Sequence, residues 1–224
     1  MKIYFYQDLI SVLLGIALLG LMLIRAMWKR SSYLLLFLVF LLSLAGLTDA
    51  LFRWNPSSLI VLLADSINVF CYLLGLGVFL HYSILFARRE GIGKGYYLIY
   101  LPGLILAFLY ALTPLMVKGI TRSFFGFQLS YAQGYYWLII YGLIYFILIL
   151  LFNGRVILSS LGWKEKEESF YLLFSFFLFF YFYSSVIIFP FLYDLVNFAS
   201  PLLVALAALV LAYAHLRYNY FEAA

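Results

Sequence analysis

The sequence predicts an all-α membrane protein, a bundle of seven transmembrane helices forming one domain over residues 1–224. Three observations predict it. The chain is 67% hydrophobic and 10% charged, against roughly a quarter charged in soluble domains, which leaves too little polar surface to coat a soluble globule. Seven stretches reach the length of about 20 mostly apolar residues that a span needs, and the breaks between them carry turn or charge signals. The alternating strands of about ten residues that mark a transmembrane barrel are absent outside residues 116–133.

The predicted spans cover about 9–28, 33–53, 59–87, 96–115, 134–152, 169–189 and 198–216. The N-terminal "MKIYFYQDLI" carries Lys2 and Asp8, and the first apolar run ends at "RAMWKR" without a small-residue cleavage site. It is therefore expected to stay as a helix and not to leave as a signal peptide. The next breaks are "RWNPSS" and "ARREGIGKG". The longest, "MVKGITRSFFGFQLSYAQG", alternates Phe125, Phe127, Leu129 and Tyr131 with Gly126, Gln128 and Ser130. That period of two predicts a short β-hairpin in loop 116–133 with one buried face. "NGRVILSSLGWKEKEES" and "PFLYDLVN" complete the breaks, and Pro102, Pro114, Pro190 and Pro201 lie at or near span ends.

Seven spans put the termini on opposite sides. One side collects ten basic residues: Arg25, Lys29, Arg30, Arg88, Arg89, Lys94, Arg155, Lys164, Lys166 and Arg217. The other collects four: Lys2, Arg53, Lys118 and Arg122. The excess of Lys and Arg on cytoplasmic loops predicts an outside N-terminus and a cytoplasmic C-terminus, in the inner (plasma) membrane. The net charge of +5 is read as these basic loops, with no nucleic-acid partner expected. The lipid bilayer is the first partner.

Polar residues inside a span face protein or a cavity, because lipid does not solvate them. Asp65, Asn68, Tyr72 and Gly75 share one face of the third span, near its outer end. Asp49 and Arg53 stand four apart at the outer end of the second span, with Ala45 and Gly46 one turn below. Asp194 and Asn197 lie beside the turn between spans six and seven. Asp49, Arg53, Asp65, Asn68, Tyr72, Asp194 and Asn197 are thus the candidate ligand-binding residues around an outward-facing polar cavity. The competing reading pairs Asp49 with Arg53 and leaves the rest as helix caps at headgroup depth. His81 is sixteen residues beyond Asp65, about 24 Å along the axis and about 160° round. It is expected to bond a carbonyl or a neighbouring tyrosine.

No catalytic or metal site is expected. His81 and His215 stand on separate helices, no HExxH or CxxC spacing occurs, and the single Cys71 lies in an apolar run with no partner cysteine. GxSxG is absent, and "PLLVALAALVLAYAHLRYNYF" has no lysine for a retinal Schiff base. No cofactor is expected. The bulk of "FSFFLFFYFY", Phe174–Tyr183, suits a lipid-facing or peripheral helix. Ala205, Ala207, Ala208 and Ala212 give the seventh span a small-residue surface, either for a homodimer or for packing within one bundle.

The order and spacing of "FLHYSILFARR", "YLIYLPGLILAFLYALTP", "GYYWLIIYGLIY" and "ALVLAYAHLRYNYFEAA" resemble the seven-helix N-terminal membrane region of bacterial histidine kinases and related signalling proteins. The resemblance covers nearly the whole chain. It implies a non-enzymatic sensory input module that feeds a cytoplasmic signalling domain or partner protein. It departs from the family in ending a few residues after Arg217, without a phospho-accepting histidine segment or an ATP-binding domain. The stimulus would be a small or lipid-like molecule, or a change within the membrane. A scaffold or accessory subunit of a membrane complex and a small-solute transporter are the competing functions.

Overall fold

A computed structural model describes residues 2–25, 30–54, 58–88, 94–123, 126–159, 162–184 and 200–220. Among them the chain forms seven α-helices, two short 3₁₀ helices and one β-hairpin. Helices α1 (Lys2–Arg25), α2 (Arg30–Trp54) and α3 (Ser58–Arg88) follow the first three predicted spans. The fourth is divided, with a 3₁₀ helix at Lys94–Ile99 leading into α4 (Leu101–Leu112). Pro102 sits in the first turn of α4, where its missing N–H costs nothing.

The predicted hairpin is present. Strands β1 (Val117–Ser123) and β2 (Gly126–Tyr131) pair antiparallel, with Ile120 opposite Leu129 and Arg122 opposite Phe127. Its base is closed by hydrogen bonds from Ala132 N to Met116 O at 2.9 Å and from Gly134 N to Leu115 O at 3.1 Å. The inward face expected from Phe125, Phe127 and Leu129 lies outside the described side chains, while Tyr131 is half-buried.

A 3₁₀ turn at Gln133–Tyr135 opens α5 (Tyr136–Leu158). This helix runs past the predicted span end at residue 152, through Asn153 and Gly154. The Asn-Gly pair reads as a turn, but here the Asn153 amide is hydrogen-bonded inside the bundle and no alternative turn is needed. Helix α6 (Trp163–Tyr183) begins before the predicted 169, and α7 (Ser200–Tyr220) covers the last predicted span. The end of the predicted sixth span and the connection carrying Asp194 and Asn197 lie outside the described residues.

Leu59–Leu85, Gly95–Leu112 and Gln133–Leu158 are long and apolar enough to cross a membrane. Shorter apolar stretches occur at Leu9–Leu21, Tyr33–Thr48 and Leu203–Ala214. Large apolar side chains crowd the outside: Leu13, Ile16, Phe40, Leu63, Phe108, Ile144 and Leu151 are all exposed. Lipid is the solvent such a surface requires. Exposed Tyr136 and Trp137 mark one end of α5, and Leu158 and Trp163 mark the other. From Trp137 to Leu158 the helix rises about 32 Å, close to the roughly 30 Å hydrocarbon thickness.

Helix α3 is the axis of the bundle, touching α2, α4, α5 and α6, while α7 packs on α1, α2 and α6. Every residue from Cys71 to Ser83 is buried, as in a helix surrounded on all sides. Two glycines let neighbours approach it: a Cβ on Gly75 would lie 3.0 Å from the Phe179 ring, and one on Gly77 would lie 3.0 Å from Tyr100. Phe79 fills the space below, 5.4 Å from Phe176 and 5.3 Å from Phe179 between ring centroids.

The aromatic sixth helix therefore corrects the lipid-facing expectation. Leu172, Phe176, Phe179 and Tyr183 are buried, and Phe170, Phe174, Phe177 and Tyr181 are exposed, so one face is core and the other meets the surroundings. Ala205, Ala207, Ala208 and Ala212 are all buried within this single chain. They serve the packing of α7 in its own bundle.

On α5, a Cβ at Gly142 would stand 2.6 Å from the Tyr183 hydroxyl. That hydroxyl is held by a hydrogen bond to Leu138 O at 2.6 Å and the ring is fully buried, so it has no room to retreat. Gly142→Ala is expected to destabilise the fold by about 1–3 kcal/mol. Gly154→Ala, where nothing lies within 4 Å of the added carbon, should leave stability unchanged or raise it by up to about 1 kcal/mol. Thermal unfolding of both variants in detergent checks the pair.

Candidate functional site

Two layers of buried polar groups lie at opposite ends of α3. The first is under the hairpin. Asp65 lies two turns into α3, one of the few charged side chains placed on a buried face, at 8% exposure. The Tyr110 hydroxyl, near the end of α4, donates to Asp65 Oδ2. The chain then leaves α4 into the hairpin and returns through Tyr131 and Tyr135, whose rings stack at a centroid distance of 3.9 Å. Strand β2 also touches α2, so the hairpin closes over this end of the bundle.

The electrostatics join the hairpin to Asp65. Burial pushes the Tyr131 phenol above its ordinary range, the Asp65 charge adds to this, and a hydrogen bond with Tyr135 works the other way. Tyr131 is therefore a neutral phenol across the physiological range. Its ring gives the hairpin an apolar anchor, and its hydroxyl a polar tip.

Of the candidate residues, the structure brings together Asp65 and Asn68. Asn68 is 6% exposed, one turn along the same α3 face, and its Oδ1 atom is buried with no hydrogen-bond partner. Tyr72 continues the face but is 1% exposed with its ring 5.8 Å from Phe179, which places the ring in the aromatic core. Asp49 and Arg53 belong to the last turns of α2, and their side chains lie outside those described, as do Asp194 and Asn197 altogether. Of the residues expected to border an outward-facing cavity, Asp65 and Asn68 are thus the pair whose side chains are described on one buried face of α3. Tyr110, Tyr131 and Tyr135 are the members not singled out as site residues from sequence, since tyrosines are common along the whole chain.

The second layer is at the far end of α3. Asn153 Nδ2 on α5 donates to Ser83 Oγ on α3 at 2.8 Å and to Ile149 O at 2.9 Å. Ser169 Oγ on α6 donates to Asn153 Oδ1 at 3.0 Å. All three side chains are fully buried. Glu168, the preceding residue of α6, lies against the Tyr82 hydroxyl of α3. Glu167 pairs with Arg217 of α7 at 3.2 Å and accepts from Tyr171 at 3.5 Å. Arg217 also donates to Tyr213 at 3.2 Å. Three consecutive residues of α6 thus meet α7, α3 and α5 in turn. Arg217 is 40% exposed, so its ion pair is screened and contributes under about 1 kcal/mol.

His81 lies close to this end, with the expected tyrosine partner: Nδ1 is 2.8 Å from the Tyr100 hydroxyl, and the ring stacks on Tyr96 at 4.8 Å. The side chain of His215 lies outside those described. Among the described residues no group of three or more His, Cys, Asp or Glu comes together.

The hairpin's docking can be probed directly. Tyr131→Ala removes both the stack on Tyr135 and the phenol near Asp65, and is expected to speed trypsin cleavage after the exposed Lys118 several-fold. Limited proteolysis with the fragment masses read by spectrometry checks it, with Tyr136→Ala, an exposed neighbour, cutting at the wild-type rate. No protein-family model matches the chain, and no curated protein is similar to it.

Proposed function

We propose that the chain is a membrane sensory input module, which passes a stimulus at the hairpin end of the bundle to a signalling output attached at the end of α7. The observation that carries this reading is the pair of polar layers at the two ends of one central helix. The first ties the hairpin to α3 and α4 through Asp65 and Tyr110. The second ties α3, α5 and α6 to one another and to Arg217, near the point where α7 ends. A displacement of α3 at one layer is felt at the other, because every residue between Cys71 and Ser83 is packed and packed interiors transmit strain.

The resemblance to the membrane region of bacterial histidine kinases supports the same reading. So does the ten-to-four division of basic residues, which favours seven spans in the plasma membrane with the hairpin outside and the C-terminus in the cytoplasm. Arg217 then stands at the membrane boundary, beside Glu167, where an output helix would leave the bundle. The output is a kinase-type domain or partner protein, and the chain itself carries no chemistry.

Two measurements test this. A reporter that fluoresces only in the cytoplasm, fused after Ala224, should be bright; a dark fusion expressed at normal level overturns the orientation. In a fusion of the full chain to a histidine kinase output, Arg217→Ala should change basal phosphorylation at least twofold while protein level and melting temperature stay near wild type. Unchanged output from Arg217→Ala and Glu167→Gln together would sink the proposed exit through α7.

A further inference from the structure

We infer that strand β1 is a docking edge for an extended acidic peptide, which adds to the hairpin as a third strand and is, on the sensory reading above, the stimulus. Strands β1 and β2 form a two-stranded sheet. Such a ribbon is marginal in water by itself, and each strand has an outer edge of main-chain N–H and C=O groups able to pair with another chain. The two edges differ. Strand β2 lies against α2 and leads through the half-buried Tyr131 into the stack with Tyr135. Strand β1, among the described residues, is paired with β2 alone.

The register sorts the hairpin into two faces. Gly119, Thr121 and Ser123 stand opposite Ser130, Gln128 and Gly126, while Ile120 and Arg122 stand opposite Leu129 and Phe127. By alternation, Tyr131 belongs with Phe127 and Leu129, and its half-burial makes that set the bundle side. The other set holds glycine and small or uncharged polar residues. A Cβ on Gly119 would meet only the Ser130 hydroxyl, at 3.5 Å, so the ribbon is open there. The register shifts between Val117 and Gly119, which places Lys118 in a bulge, a device that re-aims a side chain. Lys118 is exposed and makes no ion pair among the described residues.

Charge selects the occupant. Lys118 and Arg122 are the charged residues of the hairpin, and no acidic residue occurs between Glu90 and Glu165. A strand laid beside β1 therefore runs past two cations four residues apart. Its main chain supplies the hydrogen bonds, and its carboxylates complement the cations. A second copy of the chain fits worse. Pairing β1 with itself about Ile120 sets Lys118 against Arg122, and like charges directly opposite are destabilising. The seven residues of β1 span about 23 Å, so a peptide of similar length covers the edge. A third strand stiffens a ribbon whose base carries Tyr131 and Tyr135, beside Asp65 and Tyr110, and so acts on the first polar layer.

Hydrogen exchange of the full chain in lipid nanodiscs, read by mass spectrometry, tests the edge with a capped octapeptide of alternating valine and glutamate. Exchange across Val117–Ser123 should slow at least fivefold with this peptide and stay unchanged with the alternating valine–lysine octapeptide. Because Lys118 is exposed, Lys118→Glu should melt at the wild-type temperature and bind the acidic octapeptide at least tenfold more weakly. Slowing by both peptides or by neither overturns the acidic docking edge, and so does wild-type affinity in Lys118→Glu. Carbon-13 in the valine carbonyls should give an infrared amide band at the position of a paired strand. A bound peptide whose band stays at its free position is held by charge alone and overturns strand addition. Protection of β1 that rises with protein concentration in the absence of peptide assigns the edge to a second copy and overturns the peptide. In the kinase fusion the acidic octapeptide should change phosphorylation at least twofold. Binding without that response overturns the peptide as stimulus and leaves the docking edge standing, whereas a fusion that also ignores Arg217→Ala and Glu167→Gln overturns the sensory reading itself.

Discussion

Everything in this bundle depends on one constraint: a polar atom among these helices must find its hydrogen bond inside the protein, since a hydrocarbon surround offers none. Tyrosine is the main answer. Tyr141 donates to Leu73 O at 3.0 Å, Tyr183 to Leu138 O at 2.6 Å, and Tyr145 to Ile99 O. Each of these bonds reaches from one element to the main chain of another. The ring supplies apolar bulk for the core, and the hydroxyl ends on a carbonyl whose second lone pair is free of the helix ladder. Such a bond fixes the relative height of two helices. Leu and Phe contacts alone are far less selective, because many registers bury the same area. Gly142 exists in this scheme as the space into which the Tyr183 phenol fits.

The two polar layers are the same constraint carried further. Asn153, with Ser83 and Ser169, closes a small network in which Asn153 and Ser83 both give and receive and Ser169 gives. Networks of this kind are stable when complete and costly when one member is missing. Asn68 is the contrasting case, an amide oxygen on the same helix that makes no hydrogen bond among the described residues. The Ser83–Asn153–Ser169 network thus closes on itself toward one end of α3, and Asn68 Oδ1 stands open toward the other. Helix α3 carries both without a break, in a chain whose remaining helices are mainly greasy outside and aromatic within.

The fold was largely readable from the sequence where composition decides, and less so where pairing decides. Apolar length placed the helices, and the alternation through Phe125–Tyr131 placed the hairpin. Boundaries shifted where a polar residue found a partner that sequence does not display: Asn153 looked like the start of a turn and is a helix residue because Ser83 and Ser169 await it. The Phe174–Tyr183 run looked peripheral because its bulk is uniform, and only the glycines at 75 and 142 on other helices make room for its buried face. At the candidate site, Asp65 and Asn68 stood out as polar residues in an apolar run. Tyr110 did not, since one phenol among 21 tyrosines carries no label until the fold sets it beside a carboxylate. The side chains of Asp49, Arg53, Asp194 and Asn197 lie outside those described.

The three-way attachment of α6 sets the kind of motion that helix can make. Glu167, Glu168 and Ser169 point in directions about 100° apart and hold three different neighbours. Spinning α6 about its own axis would break all of them together. Tilting it breaks none, because the three lie within a single turn and act as a fulcrum. Fourteen residues and about 21 Å further on, the Tyr183 hydroxyl is bound to Leu138 O, so the far end of α6 is tied to α5 by a single bond. The geometry of α6 is that of a rod fixed against rotation at its base and pinned at one point near its tip.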